Sequence, residues 1–168
     1  CSRANFLGAV LLVFLIFTCL MFLCLEIVFS GYSSNNKIFV INHDGSDVEG
    51  FPLLLNEKCK GGAALADFNN NNRDDIVIGT DDNNLYLIYD DGNIADGFPF
   101  IASDKIQLAP SIIDFNSKKL IFIGDNDGVV NVINEDGSLN YSSSHGSKII
   151  TSISFGEFED DLYALFSA

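Results

Sequence analysis

The stretch HDGSDVEGFPLLL, His43 to Leu55, returns as DDGNIADGFPFIA, Asp90 to Ala102, 47 residues later. The same shift carries Gly62-Ala63-Ala64-Leu65-Ala66-Asp67-Phe68-Asn69 onto Ala109-Pro110-Ser111-Ile112-Ile113-Asp114-Phe115-Asn116. Two landmarks thus agree on one period. Further on, Ile78-Gly79-Thr80-Asp81-Asp82 maps onto Ile123-Gly124-Asp125-Asn126-Asp127 with a shift of 45, so a two-residue deletion falls between Asn116 and Ile121. A third copy starts at Ile149-Ile150-Thr151-Ser152-Ile153 and runs through Leu162 to Phe166.

Within each copy the local signals are those of strands. Asp75-Ile76-Val77-Ile78-Gly79 and Leu120-Ile121-Phe122-Ile123-Gly124 are short β-branched runs closed by glycine, the pattern of strands buried on both faces. Leu85 to Tyr89 and Val129 to Ile133 follow Asp/Asn/Gly turns and lead into Asp-Gly hairpin signals. A less regular strand is expected before each Asp-Phe-Asn and another around each Gly-Phe-Pro. About four strands per period of 45 to 47 residues describe a propeller blade, which buries both faces only by stacking on its neighbours. The expected fold is all-β: a partial β-propeller of about two to three four-stranded blades over 31–168, preceded by one transmembrane helix. A β-sandwich is the alternative, but it gives no reason for a fixed period.

The helix is expected within segment 1–30. FLGAVLLVFLIFTCLMFLCL, Phe6 to Leu25, has no charge and no proline, and as a helix at about 1.5 Å per residue it spans roughly the 30 Å core of a bilayer. Its length favours a signal anchor over a cleaved signal peptide, although Val28-Phe29-Ser30 before Gly31 leaves cleavage open. Arg3 ahead of the run keeps the amino terminus in the cytoplasm and puts the propeller on the extracytoplasmic side. Because Arg3 and Glu26 cancel, the remainder carries the whole formal charge of −14, which disfavours nucleic acid and makes a cation the natural partner. Cys59 is the one cysteine after the run, and a single cysteine most often serves as a small buried apolar residue.

The most specific chemical element is the loop Asp67-Phe68-Asn69-Asn70-Asn71-Asn72-Arg73-Asp74-Asp75. Oxygen side chains stand at its first, third, fifth and ninth positions, and Arg73 at the seventh offers its main-chain carbonyl. Calcium takes six to eight hard oxygen ligands, so Asp67, Asn69, Asn71, Arg73 and Asp75 form the candidate Ca2+ set. Asn72 suits a sharp left-handed turn. With only two carboxylates the expected affinity is weak, at about 10⁻⁴ to 10⁻³ M. The competing reading is a plain polar turn.

Ala66 through Thr80 resembles the calcium-loop repeat of FG-GAP propellers, the integrin-alpha amino-terminal type and its bacterial relatives, in which a DxDxDGxxD loop precedes a strand ending in Gly-Thr or Gly-Ser. The resemblance covers most of Ile38 to Phe155. It implies a seven-bladed propeller, calcium in inter-strand loops, and adhesion or the binding of an extracellular protein or glycan. Asn71 and Asn72 replace the family's Asp and Gly. In the second copy, Asp114-Phe115-Asn116-Ser117-Lys118-Lys119 is short and puts lysines where oxygens are needed, so calcium is expected to be lost there. Asp125 to Gly128 reads as a hairpin turn, and His43 and His145 as surface residues.

No nucleophile-and-base pair or phosphate-binding loop emerges, so a binding module and not an enzyme is expected. The alternative is a non-catalytic propeller piece of a larger enzyme, quinoprotein-like or polysaccharide-acting. Two to three blades are too few to close, so further blades are expected from missing sequence or another chain.

Overall fold

The computed structural model describes residues 26–31, 36–115, 118–158 and 161–168. The expected membrane helix, Phe6 to Leu25, lies outside them. Among the described residues no helix is long and apolar enough to cross a membrane.

All regular structure described is β, in four antiparallel sheets whose neighbouring strands follow one another along the chain. The first sheet holds β1 (Ile27–Ser30), β2 (Lys37–Ile41) and β3 (Leu53–Leu54). The second holds β4 (Ala64–Ala66), β5 (Asp75–Gly79), β6 (Asn84–Ile88) and β7 (Phe100–Ile101). The third holds β8 (Ser111–Phe115), β9 (Lys118–Gly124), β10 (Val129–Asn134) and β11 (Leu139–Ser144), and the fourth β12 (Ser154–Phe158) and β13 (Asp161–Leu165).

The two four-stranded sheets coincide with the two full copies of the repeat. The first sheet extends the repeat upstream: β2 and β3 precede β6 and β7 by 47 residues, and β1 pairs with β2 as β5 pairs with β6. Residues 27–30, grouped above with the apolar run, are therefore strand. The strands expected around Gly-Phe-Pro begin only after the proline, at Leu53 and Phe100, because a proline nitrogen has no hydrogen to give a ladder. Both Phe-Pro bonds are cis.

Side chains alternate across each strand, and both faces of the inner strands are apolar. Ile76, Ile78, Tyr86 and Ile88 of the second sheet pack on Ile38 and Val40 of the first. The alternate residues Val77, Leu85 and Leu87 pack on Ile121, Ile123 and Ile133 of the third. Phe122, Val130 and Val132 on the far side of the third sheet then meet Ile149, Ile153 and Phe155. Among the described residues there are three apolar clusters rather than one core. The buried layers lie between successive sheets, and the first strands of the two complete sheets, β4 and β8, lie against each other.

Glycines set the spacing of these layers. Gly79 ends β5 against Ile106, and Gly124 ends β9 against Ile149; a Cβ at Gly124 would stand 2.6 Å from Ile149 Cγ2. Each isoleucine amide donates across to the residue after the glycine, Ile106 to Thr80 at 3.0 Å and Ile149 to Asp125 at 3.2 Å. Gly50 and Gly97, at positive φ, press on the Asp91-Gly92 and Asp136-Gly137 turns of the following sheet.

Gly124→Ala is expected to lower unfolding free energy by about 1 to 3 kcal/mol through overpacking against Ile149. Gly156→Ala, with nothing within 4 Å of the added carbon, should stay within about 0.5 kcal/mol of the parent. Urea denaturation of the two variants measures the difference.

Candidate metal-binding loop

The loop from Asp67 to Asp75 joins β4 to β5 and is folded by its own side chains. Asn71 N–H donates to both Asp67 Oδ1 (3.0 Å) and Asn69 Oδ1 (3.1 Å), Asn72 N–H to Asp67 Oδ2 (2.8 Å), and Arg73 N–H to Asn71 Oδ1 (2.8 Å). Asn70 and Asn72 supply the left-handed turns, at φ 60° and 65°. Asparagine tolerates this region better than most residues, as expected for Asn72.

These bonds turn the oxygens of Asp67, Asn69 and Asn71 toward the inside of one turn. Two of them converge on a single amide hydrogen, and each carbonyl or carboxylate oxygen keeps a second lone pair. Oxygen-only donors on the concave side of a loop fit a hard cation such as calcium. Asp75 is placed differently. It is fully buried, and its Oδ2 accepts the Phe68 amide at 2.8 Å while its Oδ1 accepts the Asp90 amide at 3.1 Å, so it ties the loop to the strand beneath it. Burial pushes its carboxyl above the usual carboxylate range, against the pull of the amides from Phe68, Asp90 and Asn69.

Arg73 enters the candidate set through its carbonyl; its guanidinium turns to Asp90, Nη1 to Oδ2 at 3.2 Å. Asp90 also accepts from Asn71 Nδ2 at 2.7 Å. It is a member of the site that sequence reasoning missed, since it lies beyond β6 and only the pairing of β5 with β6 brings it here. Among the described residues no group of three or more His, Cys, Asp or Glu could hold a metal. Any cation would depend on the asparagine oxygens and the Arg73 carbonyl.

The equivalent connection in the third sheet is shorter. Phe115 pairs with Lys118, so only two residues separate β8 from β9 where eight separate β4 from β5. Lys119 Nζ lies 3.6 Å from Asp114 Oδ1, and the Lys119 amide donates to Glu135 Oε1 at 2.6 Å; Glu135 is the repeat counterpart of Asp90. Asp125 to Gly128 is a hairpin turn, with Val129 N–H donating to Asp125 Oδ1 at 2.8 Å and Gly128 N–H to Asp125 O. His43 and His145 are exposed.

A second polar cluster, also unread in the sequence, sits between the first and second sheets. Glu57, on the connection from β3 to β4, accepts from Asn84 Nδ2 (2.8 Å) and Tyr86 OH (2.7 Å) on Oε1 and from Thr80 Oγ1 (2.8 Å) on Oε2. Burial, aided by this carboxylate, raises the Tyr86 hydroxyl well above its ordinary value. Cys59 beside it is buried and unbridged, its thiol pushed up to about 11 by burial first and by Glu57 and Asp81 second. It therefore stays a neutral, packed thiol at physiological pH.

No protein-family model and no curated protein matches the chain. Among solved structures, BBS1N in its complex with ARL6DN superposes with a TM-score of 0.58 at 9% identity, over 83% of this chain and 42% of that one. A second structure of that complex gives 0.52 at 11% identity, over 70% and 36%. The chain thus spans less than half the length of these neighbours, and the likeness is one of fold: a propeller-like arrangement of β-sheets.

Asp75→Asn replaces one acceptor by an NH2 group and leaves a buried amide unmatched. It should cost about 1 to 3 kcal/mol and speed exchange of the Phe68 or Asp90 amide; hydrogen exchange read by NMR checks both.

Proposed function

We propose that this chain is part of a membrane-anchored, extracytoplasmic, propeller-type binding module that holds one calcium ion in the Asp67 to Asp75 loop and presents its surface to an extracellular protein or glycan. The observation that carries the reading is the convergence of Asp67 and Asn69 oxygens on the Asn71 amide, with the Asn71 oxygen accepting the Arg73 amide in the same loop. The FG-GAP resemblance of Ala66 to Thr80 supports calcium as the ion, and the formal charge of −14 supports a cation in general. Calcium would rigidify a loop that is already folded and offset the Asp67 charge. The residues suited to hold it are Asp67, Asn69, Asn71, the Arg73 carbonyl and Asp75, whose oxygens, like those of Asp67, keep a lone pair beyond the main-chain amides they accept.

The anchor is the Phe6 to Leu25 run, on the argument of its length and lack of charge. Further blades, from sequence beyond these residues or from another chain, are supported by the apolar residues left bare on the first sheet. Ile27 and Phe29 are 55% and 44% exposed, whereas their counterparts Ile76 and Ile78 are at 2% and 1% against a neighbouring sheet. A protein ligand is in keeping with the BBS1N neighbour, whose structure is that of a complex. No arrangement for catalysis is proposed.

Calorimetric titration tests the ion. Asp67→Ala should abolish calcium binding, Asn71→Asp should tighten it by adding a third carboxylate, and Asp114→Ala should leave it unchanged. Equal binding by Asp67→Ala and the parent would remove the calcium assignment. The anchor is tested separately by membrane fractionation with protease protection: the expected product is membrane-bound and digested only from the extracytoplasmic side, and a soluble product starting near Gly31 would refute it.

A further inference from the structure

The Glu57 cluster has a counterpart one repeat later that is built from different residues. Thr80 and Tyr86, which hold Glu57, correspond to Asp125 and Asn131: each of Thr80 and Asp125 follows the glycine closing its strand, and Tyr86 pairs with Ile78 as Asn131 pairs with Ile123. Asp125 and Asn131 are 1% and 4% exposed. Asp125 Oδ2 and Asn131 Nδ2 are buried without a hydrogen-bond partner. Glu57 corresponds to Asp104, one methylene shorter, whose Oδ1 accepts the neighbouring Lys105 amide at 2.8 Å. The counterparts of the two side chains that meet Glu57 thus lie on one face of the third sheet, and neither unpartnered atom has a hydrogen bond to Asp104.

We propose that a single water molecule is bound at this place, accepting from Asn131 Nδ2 and donating to Asp125 Oδ2. The chemistry selects the ligand. A carboxylate oxygen only accepts and an amide NH2 only donates, so the bound group must both donate and accept. Asn131 N–H repels a cation and the Asp125 carboxylate an anion. Water meets both demands, and a buried polar atom left unmatched costs about 1 to 3 kcal/mol, enough to retain it. With the amide turned over, two acceptors would face each other and call for a cation instead, an outcome the experiment separates.

A crystal structure of the chain at a resolution that places single waters is the first test. The expected result is a peak at about 3 Å from both atoms. A direct Asn131–Asp125 hydrogen bond, a protein side chain in its place, or a peak with the anomalous signal of a metal would each overturn the proposal. In solution, Asn131 NH2 should show an NMR cross-peak to long-lived water, and its absence from the folded parent would also overturn it. Asp104→Gln supplies a carbonyl for Asn131 and an NH2 for Asp125, so it should abolish the cross-peak and raise the Tm by about 2 to 4 °C. Retention of the cross-peak in folded Asp104→Gln would place the water elsewhere and refute the assignment.

Discussion

The fold depends on its second and third sheets, which are apolar on both faces and covered on each by neighbouring structure. In a half-exposed sheet one face reads polar; in β5 and β6 neither does, and Ile76 and Ile78 point one way while Val77 points the other. Each fully buried side chain of this size is worth about 1.5 to 3 kcal/mol, but only if the neighbouring sheet arrives at packing distance. Glycine makes that approach possible. Gly79 and Gly124 give up their side chains so that Ile106 and Ile149 can enter, and those isoleucines carry the amides that bind the next turn.

With the sheets held in this way, the connections between their strands are free to diverge. The link from β4 to β5 is long enough to wrap oxygens inward, and it is pinned at its far end by Asp75 and at its side by Asp90. Between β8 and β9 only two residues intervene, and across the paired strands an aspartate that could have faced a cation, Asp114, faces Lys119. Glu135 holds the Lys119 amide from the position where Asp90 meets Asn71 and Arg73. The scaffold is conserved between the two sheets while the electrostatic partner of the first aspartate is exchanged.

The period, the strand-closing glycines, the Asp-Gly turns and the left-handed Asn72 were legible in the sequence because each is a local signal with a fixed spacing. β1 was not, because Ile27-Val28-Phe29 reads as the tail of the apolar run, and strand and helix cannot be told apart in a short run without polar punctuation. Asp90 and Glu57 were not, because their contacts are set by pairing between strands and between sheets. Glu57 meets Tyr86 across 29 residues, and Asp90 meets Asn71 across 19. For Asp75 the spacing indicated a ligand, and the fold adds a second role that side-chain spacing alone does not encode: both of its oxygens accept main-chain amides, from Phe68 and Asp90.

The same repeat logic explains why the polar interior changes along the array. Glu57 satisfies Thr80, Asn84 and Tyr86 because its side chain reaches from the connection into the layer between sheets. One repeat on, Asp104 is shorter and turns to its own neighbour's amide, while tyrosine has become asparagine and threonine has become aspartate. A tyrosine hydroxyl lies several ångströms farther from the backbone than an asparagine amide and a glutamate reaches one methylene farther than an aspartate, so these two substitutions draw both partners back, while aspartate in place of threonine reaches one bond farther. The apolar positions beside them, Ile78 and Ile123 or Leu85 and Val130, keep their character. Packing therefore sets the frame of each repeat, and polar groups buried within it can be exchanged only where something small still completes their hydrogen bonds.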